Sequence, residues 1–133
     1  MALLLNIDVP DVEAGVHFYT AAFDLKVGRR FGADFVELLG WPAPVYLLAK
    51  KAGTVGAGGD LRRYGRHWTP VHLDFVVTDL DATVSRLTAR GGSLDRDIKI
   101  REYGRIANMA DPFGNGFDLI EFSGSGYEAA SRS

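Results

Sequence analysis

Three side chains suited to proton or metal chemistry fall in the second half of this 133-residue chain, His72, Asp74 and Asp118. An imidazole titrates near neutrality, and a carboxylate beside it orients the ring, so a His-Asp pair suits general-base work on an activated carbon acid. If Leu73, Phe75 and Val77 pack against a helix layer, the pleat sends His72, Asp74 and Val76 to the opposite face. In Phe117 to Phe122 the same alternation groups Asp118 with Ile120 and Phe122, and Phe117 with Leu119 and Glu121. An acid set among apolar neighbours needs a reason, and a site supplies one. His72, Asp118 and Asp74 are therefore the candidate catalytic residues. The ordinary alternatives are a satisfied histidine under the preceding loop and a carboxylate capping a backbone group.

Further polar residues extend this set. Arg105 facing inward anchors a carboxylate or phosphate, with Tyr103 and Asn108 as pocket-wall donors; facing outward it is ordinary surface. Alternation leaves both open, because Ile106 and Ala110 on one face are balanced by Ala107 and Met109 on the other. Arg62, Arg63 and Arg66, interleaved with Tyr64, His67 and Trp68, make a basic-aromatic segment that either closes over an anionic ligand or stays a solvated loop. His17 is read as surface.

The elements that must position these residues follow from periodicity. Leu3 to Val9 reads as a half-buried strand, Pro10 ends it, and Asp11 caps a helix with Val12, Val16, Tyr19 and Phe23 at stripe spacing. Leu25 to Phe31, Asp34 to Leu39 and Val45 to Lys50 are extended. After Pro70 the pattern returns: Val71 to Val77 is a strand, Asp79 a cap, and Leu80, Val84 and Leu87 a helical stripe that stops at Gly91-Gly92. Placing Asp79 on Asp11 gives 79 − 11, an offset of 68 residues, which also places Leu80 on Val12 and Val84 on Val16. That is an internal repeat. Asp95 to Arg101 and Gly104 to Ala110 are the next strands. Asp111-Pro112-Phe113-Gly114 then has the residue preferences of a type I turn, leading into the last strand.

The chain therefore reads as one domain over residues 1–122. Its modules are 3–51 and 70–122, with a flexible glycine-rich linker over 52–69 and a disordered tail over 123–133. The repeat sets Asn6 at the position of Asp74. Aligning Tyr46-Leu47-Leu48 with Asp118-Leu119-Ile120 sets Tyr46 at the position of Asp118, or Leu47 if the alignment slips by one residue. Asn6, Tyr46, Tyr103, Arg105 and Trp68 are the candidate substrate-binding residues.

Bulk composition narrows the function classes. With 47% hydrophobic residues the chain has enough apolar surface for a real core. Lys plus Arg total 15 against 17 for Asp plus Glu, which leaves no cationic excess for nucleic acid or an anionic membrane. A small-molecule ligand is the expected partner. The absence of cysteine removes thiolate ligands and thiol nucleophiles and is compatible with a cytoplasmic location. Leu3-Leu4-Leu5 is too short for a signal core or a membrane span.

The paired modules resemble the vicinal oxygen chelate superfamily, which includes glyoxalase I, extradiol dioxygenases and the fosfomycin- and bleomycin-resistance proteins. The residues that carry the resemblance are the Asp11 to Tyr19 helix with Phe18-Tyr19, the His72 strand followed by Asp79, and Asp111-Pro112-Phe113-Gly114-Asn115 running into Asp118-Leu119-Ile120-Glu121. The resemblance implies an α+β fold of two βαβββ modules, with curved mixed sheets around a cavity, helices outside and a homodimer. In glyoxalase-type members one metal ligand comes from the first strand and one from the last strand of each module. His72 and Asp118 match the second module's positions, with Asp where Glu is usual. Leu4 and Tyr46 or Leu47 do not match the first module's. A catalytic metal normally takes three protein ligands. Asp74 is an awkward third, since residues two apart on a strand are separated by about 7 Å.

The leading expectation is therefore a glyoxalase- or bleomycin-resistance-like protein that binds or transforms a small oxygenated or anionic molecule without a required cofactor. One alternative is a metal-dependent lyase, isomerase or dioxygenase holding Ni, Zn, Mn or Fe at His72 and Asp118. Another is a sequestering resistance protein that turns nothing over.

Overall fold

A computed structural model describes residues 1–131, and the chain divides into two compact units, Met1–Gly65 and Arg66–Ser133. In the first unit β1 (Leu5–Val9) is followed by α1 (Val12–Phe23), β2 (Lys26–Arg30), β3 (Phe35–Leu39) and β4 (Val45–Ala49). The sheet order is β1-β4-β3-β2, with β1 parallel to β4 and the remaining neighbours antiparallel. Asp11 caps α1 by accepting from the Glu13 N–H at 3.0 Å, and Asp24 ends it in the left-handed region at φ 54°. The face that α1 buries is Val12, Gly15, Phe18, Tyr19 and Ala22, rotated from the expected stripe: Val16 and Phe23 are only partly covered. Gly15 is the reason. A Cβ there would lie 3.1 Å from Leu47 and 3.2 Å from Val9, so its absence lets the helix settle onto β1 and β4.

The second unit repeats the plan: β5 (Leu73–Val76), α2 (Leu80–Ala89), β6 (Ser93–Leu94), β7 (Lys99–Arg101), β8 (Gly104–Ala110) and β9 (Gly116–Phe122). Its order is β5-β9-β8-β6, with β7 also on β8, and β5 runs parallel to β9 as β1 does to β4. Asp79 accepts from the Ala82 N–H at 3.0 Å to cap α2. The fold is thus α+β, two open mixed sheets each carrying a helix. Leu80, Leu87, Met109 and Leu119 are wholly buried in this unit, as Val9, Val36, Leu38 and Leu47 are in the first.

Three expectations are corrected. The strand expected over Asp95 to Arg101 is broken: β6 stops at Leu94, the Asp95 N–H still donates to the Asn108 carbonyl at 2.8 Å, and residues 96–98 lie outside the strands before β7 rejoins β8. The linker over 52–69 contains a hairpin rather than a flexible string. Gly53 N–H donates to Arg62 O, Arg62 N–H to Thr54 O and Gly56 N–H to Asp60 O, each at 2.8 Å, and Arg62 pairs with Asp8 at 2.8 Å. Small residues there serve tight turns, with Gly53, Gly58 and Gly59 all at positive φ. The tail, expected to be disordered, forms a helical turn α3 (Tyr127–Ala130), whose Tyr127 ring packs 4.8 Å from Phe122 and 5.0 Å from Tyr103. Apolar contact from one aromatic residue orders a segment whose composition is otherwise polar. The end of that tail, residues 132–133, lies outside the described residues. Among the described residues no helix is long and apolar enough to cross a membrane.

Candidate functional site

The turn before β9 sets the site. Asp111, 3% exposed, accepts from the Phe113 N–H at 2.8 Å, the Asn115 N–H at 2.9 Å and the Asn115 amide at 2.9 Å, and Gly114 takes φ 86° to close the loop. β9 leaves that turn in a fixed register. Asp118 lies opposite Asp74 on β5 and opposite Asn108 on β8, so the three stand abreast on adjacent strands. Directly opposed residues in a ladder share a face. Asn108 Nδ2 donates to Asp118 Oδ1 at 2.7 Å, which fixes that carboxylate.

His72 precedes β5 and leans along the strand toward both acids. Its Nδ1 is 3.1 Å from Asp74 Oδ1 and 3.6 Å from Asp118 Oδ2. One donor atom from each of His72, Asp74 and Asp118 lies within 4.8 Å of the others. The expected awkwardness of Asp74 is thereby corrected: backbones two residues apart diverge, but the long imidazole and the rotatable carboxylate converge again. Burial and then the neighbouring Asp118 charge push the Asp74 carboxyl above its ordinary value, while His72 pulls it down. The donor set is an imidazole and two carboxylates, which suits Mn, Fe, Ni or Zn. Ligands held about 2.0–2.2 Å from one ion stand roughly 3–3.5 Å apart. The separations of 3.1 and 3.6 Å from His72 are of that size, so these residues fit a divalent cation.

Beside this cluster is a cavity of about 230 Å³ that reaches His72, Asp118 and Asn108 but not Asp74. Trp68, 72% exposed, stands over it with its ring 5.7 Å from that of His72. Three cations also line the cavity, Arg66, Arg96 and Lys99, accompanied by Asp95. Arg66 is committed to Asp95 through contacts of 2.8 to 3.2 Å and also donates to the His67 carbonyl. Gly116 makes room for it, since a Cβ at that position would meet the guanidinium at 2.5 Å.

Other sequence candidates are placed differently. Arg105 does not line the cavity: it bonds Glu121 at 3.0 Å and Asp81 at 3.0 Å, on the face that meets α2. Glu121 in turn accepts from the Leu80 N–H at 2.8 Å, so this trio locks the start of α2 to the sheet. Tyr103 does not line the cavity. It packs with Phe122 and Tyr127 at the opposite end of β9. Asn6 and Tyr46 belong to the first unit, where they pair in register as Asp74 and Asp118 do in the second, which settles the alignment on Tyr46 rather than Leu47.

In the first unit the Tyr46 hydroxyl donates to Glu37 at 2.9 Å, and Arg29 pairs with Glu37 at 2.6 Å. Hydrogen bonds from Arg29 hold the Glu37 carboxyl down to about 2. Glu37 lies opposite Tyr46 as Asn108 lies opposite Asp118. Where the second unit collects metal-type donors, the first therefore holds an internal guanidinium-carboxylate pair. Arg96, Lys99, Asp95 and Gly116 were not singled out from sequence: Asp95 bonds Asn108 through its backbone and Lys99 pairs with Ile106, and alternation does not give the register of such pairings.

Two units of strand, helix and further strands, each closed by a parallel pairing of first and last strands, define a protein of the vicinal oxygen chelate type. The sequence matches the glyoxalase-like domain family over residues 5–120, and the chain belongs to that family. It is 39% identical over 82 residues to the anthracycline biosynthesis protein DnrV of Streptomyces peucetius, covering 60% of this chain and 27% of that protein. The chain thus spans about a quarter of the length of that curated relative. A glyoxalase/bleomycin resistance protein/dioxygenase from Nocardioides superposes with a TM-score of 0.69 at 21% identity, over 95% of this chain and 85% of that one. A variant of the fosfomycin resistance protein FosX of Listeria monocytogenes, complexed with Mn(II) and 1S,2S-dihydroxypropylphosphonic acid, gives 0.68 at 16% identity over 90% and 87%. At these identities the structural likeness concerns the fold.

Proposed function

We propose that the second unit binds a compact, oxygen-bearing small molecule beside a divalent cation held by His72, Asp74 and Asp118, and that the protein acts on that molecule as a glyoxalase-like enzyme. The observation that carries this reading is the convergence of three donor atoms within 4.8 Å on the sheet face beside the cavity. It is supported by the like charges of Asp74 and Asp118, which a cation would neutralise, and by FosX, whose complex contains Mn(II). A cation there would stabilise negative charge developing on a ligand oxygen. The chain's own residues do the rest: Asn108 fixes the Asp118 carboxylate, Asp74 orients His72, and Trp68 lines the cavity. A volume of about 230 Å³ favours a ligand smaller than those filling the roughly 300–1,000 Å³ pockets of drug-sized molecules.

A second reading rests on the 3.1 Å contact between His72 Nδ1 and Asp74. With Nδ1–H donated to that carboxylate, Nε2 is the basic nitrogen, and His72 serves as a general base with no metal. Calorimetric titration of tag-free, chelator-treated protein with Ni, Zn, Mn and Fe(II), beside His72→Ala and Asp74→Asn, separates the two. One ion per chain in wild type, with at least about tenfold weaker binding in each variant, supports the cation. No uptake by wild type rejects it and leaves the general base, for which a pH-rate profile on a converted ligand is the next test.

We also propose a homodimer, since each sheet taken alone has open edge strands, β1 and β2 in one and β5 in the other. Light scattering on a sizing column checks this, with a monomer at micromolar concentration as the outcome against it.

A further inference from the structure

The cavity beside His72 is lined by two unlike groups: His72, Asp118 and Asn108, and the cations Arg66, Arg96 and Lys99 with the single carboxylate of Asp95. Arg66 and Asp95 neutralise each other. Lys99 and Arg96 do not share that carboxylate, and among the described residues neither side chain makes an ion pair or hydrogen bond. Lys99 lies opposite Ile106 on β8, so its stem is on the same sheet face as Asn108 and Asp118, and it is only partly exposed. A half-covered ammonium without a carboxylate, facing a cavity, is a poor stability device and a good anion anchor.

We propose that Lys99 and Arg96 form an anion subsite and that the ligand of this cavity is a small organic acid with a flat, apolar body. Its anionic group meets Lys99 and Arg96, its body lies along the exposed indole of Trp68, and a further oxygen points to His72 and Asp118. The direction is set by charge, because Asp118 repels a carboxylate that Lys99 attracts. Trp68 offers the flat surface: it is 72% exposed and its ring is 5.7 Å from that of His72. Arg96 sits in the interruption between β6 and β7, and Lys99 opens β7 opposite Ile106, so both reach the cavity from the same side of β8. The inference rests on reading this cavity as the ligand site, though not on the cation.

Trp68 is also the reporter. The chain has two tryptophans, and Trp41→Phe leaves Trp68 as the only one. In that background, fluorescence is titrated with salicylate, which carries a ring, a carboxylate and a vicinal hydroxyl, and with its uncharged counterpart salicylamide. The expected result is quenching by salicylate at concentrations at least about tenfold lower than salicylamide, the size of effect a charge-assisted contact gives. Lys99→Ala with Arg96→Ala should bring the two probes to equal affinity, and Lys99→Arg should restore the preference. Equal affinities in the Trp41→Phe protein, a preference unchanged by the double variant, or no quenching by either probe overturns the proposal. Repeating the titrations in His72→Ala, with and without Mn(II), keeps the two readings apart. A charge preference that survives loss of His72 and ignores Mn(II) leaves the anion subsite standing without the cation, whereas Mn(II) uptake with no charge preference removes the subsite alone.

Discussion

At the scale of single residues, the His72, Asp74 and Asp118 cluster costs the free protein something. Burial and the adjacent Asp118 charge raise the Asp74 carboxyl, so the folded state prefers it protonated. A carboxyl raised on folding contributes stability below its unfolded value, near 3.8, and that contribution is lost as pH rises through the folded value. At neutral pH the ionised pair is therefore a liability. Asp74→Asn should raise the melting temperature of the metal-free protein while abolishing cation uptake, the pattern expected where function is held against stability. Carboxyl NMR titration supplies the matching check: Asp118→Asn should move the Asp74 midpoint down, though not fully to its ordinary value, because burial remains. An unmoved midpoint would mean that the two acids do not interact.

At the scale of elements, each unit treats its central polar position differently. Glu37 on β3 is 4% exposed and satisfied by Arg29 and Tyr46, which seals the first sheet's counterpart of the cluster. Its carboxyl is held at about 2 against an ordinary 4.5, chiefly by hydrogen bonds from Arg29. A lowered carboxyl stabilises the fold above its unfolded value and ceases to do so as pH falls through the folded one. Urea melts should therefore show Glu37→Gln less stable than wild type at pH 7, with the gap closing between about pH 4.5 and pH 2. A gap independent of pH would assign Glu37 a packing role only. The turn before β9 is the other element that the site depends on. Asp111→Ala removes three hydrogen bonds from a buried carboxylate and should cost about 2–3 kcal/mol in urea unfolding. A loss under about 0.5 kcal/mol would mean that the turn forms without it.

At the scale of the whole molecule, stability rests on two apolar cores. Leu119 is wholly buried between α2 and the sheet, flanked by Phe117 and Glu121 on the same strand face. Leu119→Ala should destabilise by about 2–5 kcal/mol, measured by urea unfolding at neutral pH, since a buried leucine leaves a cavity that its neighbours fill only in part. The net charge of −2 belongs to this scale too. Among the described residues, Lys99 and Arg96 line the cavity without a carboxylate partner. A protein that is acidic overall can thereby present a basic pocket wall to an acidic ligand.

The sequence by itself determined the repeat, the helix caps at Asp11 and Asp79, the turn at Asp111 and the face shared by His72, Asp74 and Val76. These are local facts, set by side-chain periods of 2 and about 3.6 and by backbone preferences of turn residues. It also singled out His72, Asp74 and Asp118. Only the tertiary structure decided that their donor atoms converge, because alternation fixes a residue's face and says nothing of its register against a strand more than forty residues away. The side taken by Arg105 was likewise undecided locally: its strand is apolar on both faces, and Asp81 and Glu121 settle it from other elements. The helical turn at Tyr127, which packs on Phe122 and Tyr103, and the pairing of Lys99 with Ile106 are decided the same way, by partners that no local pattern announces.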